Sequence, residues 1–136
     1  MPINIVNEQK ITVGTEQFVD GTSPGGRFSV VFEDDGDTGY FYALDNSVPD
    51  QPIQDAMHIY NTANVTDKHL PSLVEIGWSL DNLKAVLLIN DHPHAIFDFS
   101  AKRGYCRTGF PPPSNSSGWS GHDWDDSAFK LFAEDA

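Results

Sequence analysis

The residues of this sequence best suited to metal binding or proton transfer are its five histidines: His58, His69, His92, His94 and His122. A single proline separates His92 from His94, and this i, i+2 spacing could chelate a metal ion. A zinc site needs a third protein ligand, and no further motif in the chain marks one. Two interpretations stay open, metal ligands or ordinary histidines at a turn and a strand edge. We favour the second and predict no bound metal.

A run of acids between two apolar segments, Asp34-Asp35-Gly36-Asp37, has the composition of the start of a calcium-binding loop. An EF-hand loop also needs a bidentate glutamate at its twelfth position and flanking helices, and the sequence shows neither here. The flanking residues alternate between apolar and polar, so we expect the acids at the tip of a β-hairpin. In that position they contribute to a negative surface field rather than to an ion site.

Motifs for covalent or acid–base catalysis are absent. The single cysteine, Cys106, lies in a strand-like run with no histidine marked as its base, so we predict a packed thiol. Asp98 stands among apolar residues and must be hydrogen-bonded or paired if it is buried. One alternative is a pocket on the sheet where His58, Asp98 and Arg107 bind or convert a small molecule. Because no hydrolase, nucleotide or zinc-protease motif is present, we predict no enzyme activity and no cofactor.

The charge of the chain limits the kinds of partner it can bind, since 20 acidic and 8 basic residues give a formal net charge of −12. Phosphates are repelled by such a surface, so we expect no nucleic-acid binding, whereas a basic protein would be complementary. No apolar run approaches the length that crosses a bilayer, about 20 residues. The N-terminus lacks a signal-peptide pattern, and one cysteine fits a reducing compartment. These features predict a cytoplasmic protein that binds no membrane.

The elements that must position these residues are predicted to be mainly antiparallel strands. Apolar residues alternate through 27–33 and 40–44, which would form the acidic hairpin, and a meander of strands and tight turns spans 74–110. Residues 53–65 fit both helical and strand spacing, and we favour a strand. Beyond a Pro/Ser/Gly-rich stretch, apolar spacing predicts a helix from Asp123 to about Glu134 that lies across the sheet. The predicted class is α+β, a single domain of residues 1–136 with a C-terminal helix on an antiparallel sheet.

Three strings carry a family resemblance: HIYNTANVTD, VEIGWSLDNLKAVLLINDHPHAIFDFSAKRGYCRTGFPPP and the later HDWDD. Together they resemble the DUF2251 family of small bacterial proteins, over residues 27 to 128. The resemblance implies a bacterial, cytoplasmic, stand-alone domain. It supplies no catalytic residue, because the family has no known function.

These observations favour a binding protein over an enzyme. Small acidic bacterial proteins without an active site are often immunity partners of secreted antibacterial toxins, and an acidic surface can occupy the basic substrate groove of a nuclease. The partner expected here is a cognate toxin with a basic surface, and the sequence carries no signal for an oligomeric state. The residues expected to contact it are acids of the hairpin tip and of the C-terminal segment, with two tryptophans as exposed aromatic anchors: Glu33, Asp34, Asp35, Asp37, Trp119, Asp123, Trp124, Asp125 and Asp126.

Overall fold

Two antiparallel β-sheets face each other in the computed structural model of the chain, which describes residues 3–50, 52–66, 69–79, 81–107, 119, 121, 123 and 124. The strands are β1 (Ile3–Ile11), β2 (Gln17–Thr22), β3 (Phe28–Asp34), β4 (Thr38–Asp45), β5 (Ile53–Asn61), β6 (Ser72–Ser79), β7 (Lys84–Ile89), β8 (His92–Asp98) and β9 (Arg103–Cys106). A single 3₁₀ turn, Thr62–Asn64, follows β5.

In the sequence, the four strands of the second sheet lie between β1 and β6 of the first. β1 lies at the edge of a five-stranded sheet ordered β1-β6-β7-β8-β9, while β2 to β5 form a four-stranded meander ordered β2-β3-β4-β5. The chain then returns to pair β6 with β1 and completes the first sheet as a second meander. The apolar run of β7 occupies the central position of its sheet, as the sequence predicts, since a strand covered on both faces reads as continuously apolar.

Aromatic side chains from both sheets meet between them. The ring of Phe41 in β4 stacks on that of Phe97 in β8, with centroids 5.1 Å apart. Phe28 in β3 stacks on Phe99, just after β8, at 4.3 Å, and Phe99 also stacks on Trp78 in β6 at 5.6 Å. Each of these large side chains contributes about 1.5–3 kcal/mol when it leaves water. One hydrophobic core therefore joins the two sheets.

The predicted α+β class is wrong. Within the described residues the regular structure is antiparallel strand, apart from the 3₁₀ turn. The side chains of residues 3–106 that pair with a neighbouring strand alternate with the two-residue period of a pleated strand. The predicted C-terminal helix does not begin at Asp123, which instead forms a parallel β-bridge with Cys106. The rest of that predicted helix, 125–134, lies outside the described residues. Residues 53–61 form a strand, as favoured from the sequence.

The described residues of the C-terminal segment run beside β9. The Gly104 amide donates to the Gly121 carbonyl at 3.0 Å, and the Arg103 guanidinium donates to the Asp123 carbonyl at 2.9 Å. These bonds give the edge strand β9 a further neighbour, which protects backbone groups that an open edge would expose. In the part of the chain that the structure describes, no helix is long and apolar enough to span a membrane.

Candidate functional site

Asp34 is fully buried at the end of β3, although the sequence places it in an exposed acidic tip. Its Oδ2 accepts a 2.7 Å hydrogen bond from the Gly14 amide and a 2.6 Å bond from the Tyr60 hydroxyl, and its Oδ1 accepts one from the Gly36 amide at 2.8 Å. A buried carboxylate is tolerated only when its oxygens are hydrogen-bonded in this way. Asp34 ties three segments together and does not contribute to a partner surface.

The other acids of the hairpin are accessible. The Asp35 carboxylate accepts the amides of Asp37 and Thr38 at 2.9 and 2.8 Å, which closes the turn. These backbone hydrogen bonds favour the ionised form and lower the pKa of Asp35 below its usual value. Asp37 is exposed and Glu33 is half-buried. Of the four acids predicted at the tip, three therefore carry charge at or near the surface.

The outward side of the four-stranded sheet is rich in aromatic residues. Strand register places its outward side chains in rows. We call two of these rows the outer face, which consists of Phe18, Glu33, Tyr40 and His58, followed by Asp20, Val31, Tyr42 and Ala56. The eight positions include two acids and no lysine or arginine. Phe18 is 64% exposed, which is unusual for a phenylalanine and marks the outer face as a candidate contact surface.

Contacts among these side chains hold the outer face in shape. The rings of Tyr40 and Tyr42 stack with centroids 5.8 Å apart, and His58 meets the Tyr40 ring edge-on at 4.8 Å. The Tyr42 hydroxyl donates to Glu33 Oε1 at 3.0 Å. Burial, and then the neighbouring Glu33 carboxylate, raise the pKa of Tyr42, so the phenol keeps its proton. The phenol thus orients the Glu33 carboxylate at the surface, where it can accept a partner's cation.

The predicted C-terminal contact residues divide between the two sides of the five-stranded sheet. Trp119 is buried, and its ring meets those of Phe97 and Phe99 edge-on at 5.6 and 5.5 Å, so the prediction that it is exposed is wrong. Trp124 packs on the opposite side against the buried Val86 and Ile96. The side chain of Asp123 is exposed, while Asp125 and Asp126 lie outside the described residues.

The alternative pocket of His58, Asp98 and Arg107 is not formed. Asp98 is buried, and its Oδ1 accepts from the Ser100 hydroxyl, the Ser100 amide and the Ala101 amide, which fixes the turn after β8. Arg107 lies beyond the other end of the β8–β9 hairpin, where its Nε donates to the Pro93 carbonyl. Asp98 therefore has a structural role, and it does not converge with the other two residues.

His92 and His94 lie at the start of β8, where they line an open cleft at one end of the sandwich. Within the described residues, no three histidine, cysteine or carboxylate side chains come close enough together to hold a metal ion. Cys106 is buried, and its Sγ donates to the His58 carbonyl at 3.2 Å, which links β9 to β5.

The sequence analysis named Glu33 as a contact residue but missed the aromatic residues of the outer face, and the reason is visible in β4. Both sides of this strand are apolar, with Phe41 and Ala43 on one and Tyr40, Tyr42 and Leu44 on the other. Alternation alone cannot tell which side meets the core. The usable signal is Gly39, because a small residue in line with Phe41 indicates the crowded inner side.

The fold and the outer face define the chain as an antiparallel β-sandwich that displays an aromatic and acidic surface. The chain belongs to the family DUF2251, described as an uncharacterized protein conserved in bacteria, whose model matches residues 11–133. An uncharacterized protein of Haemophilus influenzae is 47% identical over 92 residues, which are 68% of this chain and 57% of that protein. The chain thus matches little more than half of that relative's length. No solved structure matches.

Proposed function

We propose that this bacterial protein is a non-catalytic immunity protein that binds and neutralises a cognate antibacterial toxin. The observation that carries the proposal is the outer face, where the 64% exposed ring of Phe18 stands in one row with the Glu33 carboxylate and the Tyr40 ring. Protein interfaces concentrate binding energy in aromatic residues at their centre. An uncovered phenylalanine beside a carboxylate, with two tyrosines on the same face, has the composition of such a centre.

The charges of the outer face indicate the chemistry of the partner. Asp20 and Glu33 lie within it, and the exposed Asp35 and Asp37 adjoin it at the β3–β4 turn. An arginine of the partner could form a bidentate pair with Glu33 and stack its guanidinium on the Tyr40 or Phe18 ring. A toxin of the nuclease class fits best, because its substrate groove must be basic to bind phosphates. An acidic protein that enters this groove excludes the nucleic acid.

The hydrogen bonds of two buried acids are consistent with a binding role. Asp34 accepts hydrogen bonds through both carboxylate oxygens, and Asp98 accepts three through its Oδ1. They stabilise the fold and take no part in chemistry under this proposal. A nuclease toxin acts on cellular nucleic acid, so its immunity protein must be present in the same compartment, the cytoplasm.

The direct test is to co-express the chain in a bacterium with the product of the adjacent gene. We expect protection from growth arrest and a stable complex on size-exclusion chromatography. Electrostatic attraction should make association fast at low salt, with a rate constant that falls by about tenfold or more between 20 and 300 mM NaCl. The dissociation rate should change much less.

Two outcomes would refute the proposal. One is that neither protection nor a complex is found with any gene product encoded beside this chain. The other is a complex whose association rate does not respond to salt, because the acidic surface would then not guide binding. A catalytic role would be indicated instead if protection persisted at amounts of this protein far below those of the toxin.

A further inference from the structure

A second candidate site lies away from the outer face, in the cleft at one end of the sandwich. The cleft has a volume of about 600 Å³, within the range of 300–1,000 Å³ that ligand pockets usually have. Its walls come from the end of β5, the turn between β7 and β8, and the segment that leads into β6. The proposed immunity function makes no use of it.

The body of the cleft is apolar. Ile59 from β5 and Ile89 from β7 form its floor, while Val65 and Leu70 come from the segment before β6. Leu70 is 53% exposed at the mouth, so part of this apolar surface faces water in the absence of a ligand. A compact hydrocarbon group that filled the cleft would remove that surface from water, which is favourable.

The polar groups of the cleft are mainly hydrogen-bond donors. His92 and His94 line one side, and each imidazole can donate a hydrogen bond from a ring nitrogen. Asn90 uses its Oδ1 to accept the Leu73 amide, so its Nδ2 remains able to donate. The lining residues also include the hydroxyls of Ser72 and Thr66. Such convergent donors within an apolar cleft can orient an acceptor-rich ligand group.

The local charge favours an anion at this position. Among the described residues, the lining contains no aspartate or glutamate, although the whole chain carries 20 of them. Asp91, next to His92 in sequence, has its carboxylate directed to Glu75 instead. Burial, and then the positive charges of Arg107 and His92, lower the pKa of His94. The Arg107 guanidinium, which disfavours a proton on His94, attracts a carboxylate.

From this geometry we infer that the cleft binds a small amphipathic carboxylic acid, with its hydrocarbon part against Ile59 and Ile89 and its carboxylate toward His92 and His94. The apolar walls account for the hydrocarbon part, and the donors, with no carboxylate among the described lining residues, account for the acid. Tyr60 also lines the cleft, and its bond to Asp34 fixes the wall on that side.

The test uses the full chain and two probes of equal length, octanoate and 1-octanol. ¹H–¹⁵N correlation spectra should show saturable shifts for the amides of His92, His94 and Ile59 with octanoate, and weaker binding with 1-octanol. The His92→Phe/His94→Phe double variant keeps a ring at both positions but removes the donors, and it should bind octanoate about tenfold more weakly. His58→Phe is the matched control, because His58 lies on the outer face, and it should bind octanoate as the unmodified chain does.

A second variant keeps the inference testable if the double variant does not fold. Leu70→Glu and Leu70→Gln both lose the same apolar side chain at the exposed mouth of the cleft, but only the first adds a negative charge. Octanoate should therefore bind Leu70→Glu more weakly than Leu70→Gln, while 1-octanol should bind the two variants alike. The inference is overturned if octanoate causes no saturable shift up to about 10 mM, the range of very weak ligands. It is also overturned if both probes bind equally well, or if the double variant binds octanoate normally. Toxin binding and octanoate binding are measured separately. Loss of the octanoate inference therefore does not affect the immunity proposal, and loss of the immunity proposal does not affect the octanoate inference.

Discussion

The hydroxyl of Tyr60 in β5 donates a 2.6 Å hydrogen bond to Oδ2 of Asp34, at the end of β3. The two residues are 26 positions apart in sequence and lie on the inner side of the sheet, on either side of Gly39. Burial, and then the Asp34 carboxylate, raise the pKa of Tyr60, so the phenol stays a donor at all ordinary pH values. This bond connects the acidic hairpin to the wall of the cleft.

Replacing Asp34 should reduce stability and leave partner binding intact. In Asp34→Asn, a nitrogen that cannot accept replaces one carboxylate oxygen. Depending on the amide orientation, either the Gly36 amide or both the Gly14 amide and the Tyr60 hydroxyl lose their acceptor. We expect a loss on the order of 3 kcal/mol in the free energy of unfolding, measured by urea denaturation. Asp37→Asn removes the same charge at an exposed position and should change stability by less than about 0.5 kcal/mol. Normal stability with lost partner binding in Asp34→Asn would show that this acid is a contact residue instead.

Gly39 is required because the ring of Tyr60 lies over it. A Cβ at this position would stand 2.7 Å from Tyr60 Cζ, so Gly39→Ala must displace the ring and lengthen its bond to Asp34. We expect a cost of about 1–3 kcal/mol in unfolding free energy, the range for overpacking. The cost should fall sharply in a Tyr60→Ala background, which a double-mutant cycle would measure. Gly25→Ala, whose nearest neighbour is 3.9 Å away, is the control and should be close to neutral.

Much of the strand arrangement follows from alternation and turn residues. The acidic hairpin, the strand at 53–61 and the meander of β6 to β8 were predicted, because alternating or continuously apolar runs are bounded there by turn residues. The division into two sheets was not predicted. It depends on the pairing of β1 with β6, which are more than 60 residues apart in sequence, and no local sequence pattern indicates such a pairing. The α+β class is wrong because it depends on a helix that starts at Asp123, and Asp123 instead forms a β-bridge with Cys106.

The candidate site was harder to predict than the fold. Phe28, Val30, Phe32 and Asp34 share one parity along β3, so the sequence contained the signal that Asp34 points inward. The neighbouring acids and glycine instead indicated an exposed turn at Asp34. The cleft is formed by residues from β5, from the β7–β8 turn and from the segment before β6, which meet only after both sheets are assembled. Its histidines were noticed as a pair, but their apolar surroundings follow from tertiary structure alone.

The stability of the chain should respond to pH through Glu75. This carboxylate lies on the five-stranded sheet beside Glu8, its direct neighbour on β1. Burial, and then the charges of Asp91 and Glu8, raise its pKa. A raised folded-state pKa means that the folded protein binds the proton more tightly than the unfolded chain does. The charged form therefore destabilises the fold, and this penalty develops as pH rises past the usual pKa of 4.5.

Glu75→Gln should consequently stabilise the protein at pH 7 and have little effect below pH 4, where the carboxyl is protonated in both states. The gain should stay below about 1 kcal/mol, because the site is partly exposed to water and screened. Thermal denaturation at pH 3.5, 5 and 7 measures the difference. Glu16→Gln removes one exposed charge from the same chain and serves as the control. Equal stabilisation by both variants would assign the effect to net charge and not to the Glu8, Glu75 and Asp91 group.

Phe18 offers the most direct test of the outer face, since its ring is exposed and contributes little to the core. Phe18→Ala should leave the unfolding free energy within about 0.5 kcal/mol of the unmodified value. It should weaken binding of the cognate toxin by 2 kcal/mol or more if the ring is a central contact, which is about 30-fold in the dissociation constant.

Glu33→Gln should act differently and lower mainly the association rate and its dependence on salt. Val48→Ala, an exposed apolar residue in the β4–β5 connection, is the matched control. If Phe18→Ala and Val48→Ala both bind the toxin normally, the contact surface lies elsewhere, and the exposed Asp123 beside β9 becomes the next position to test.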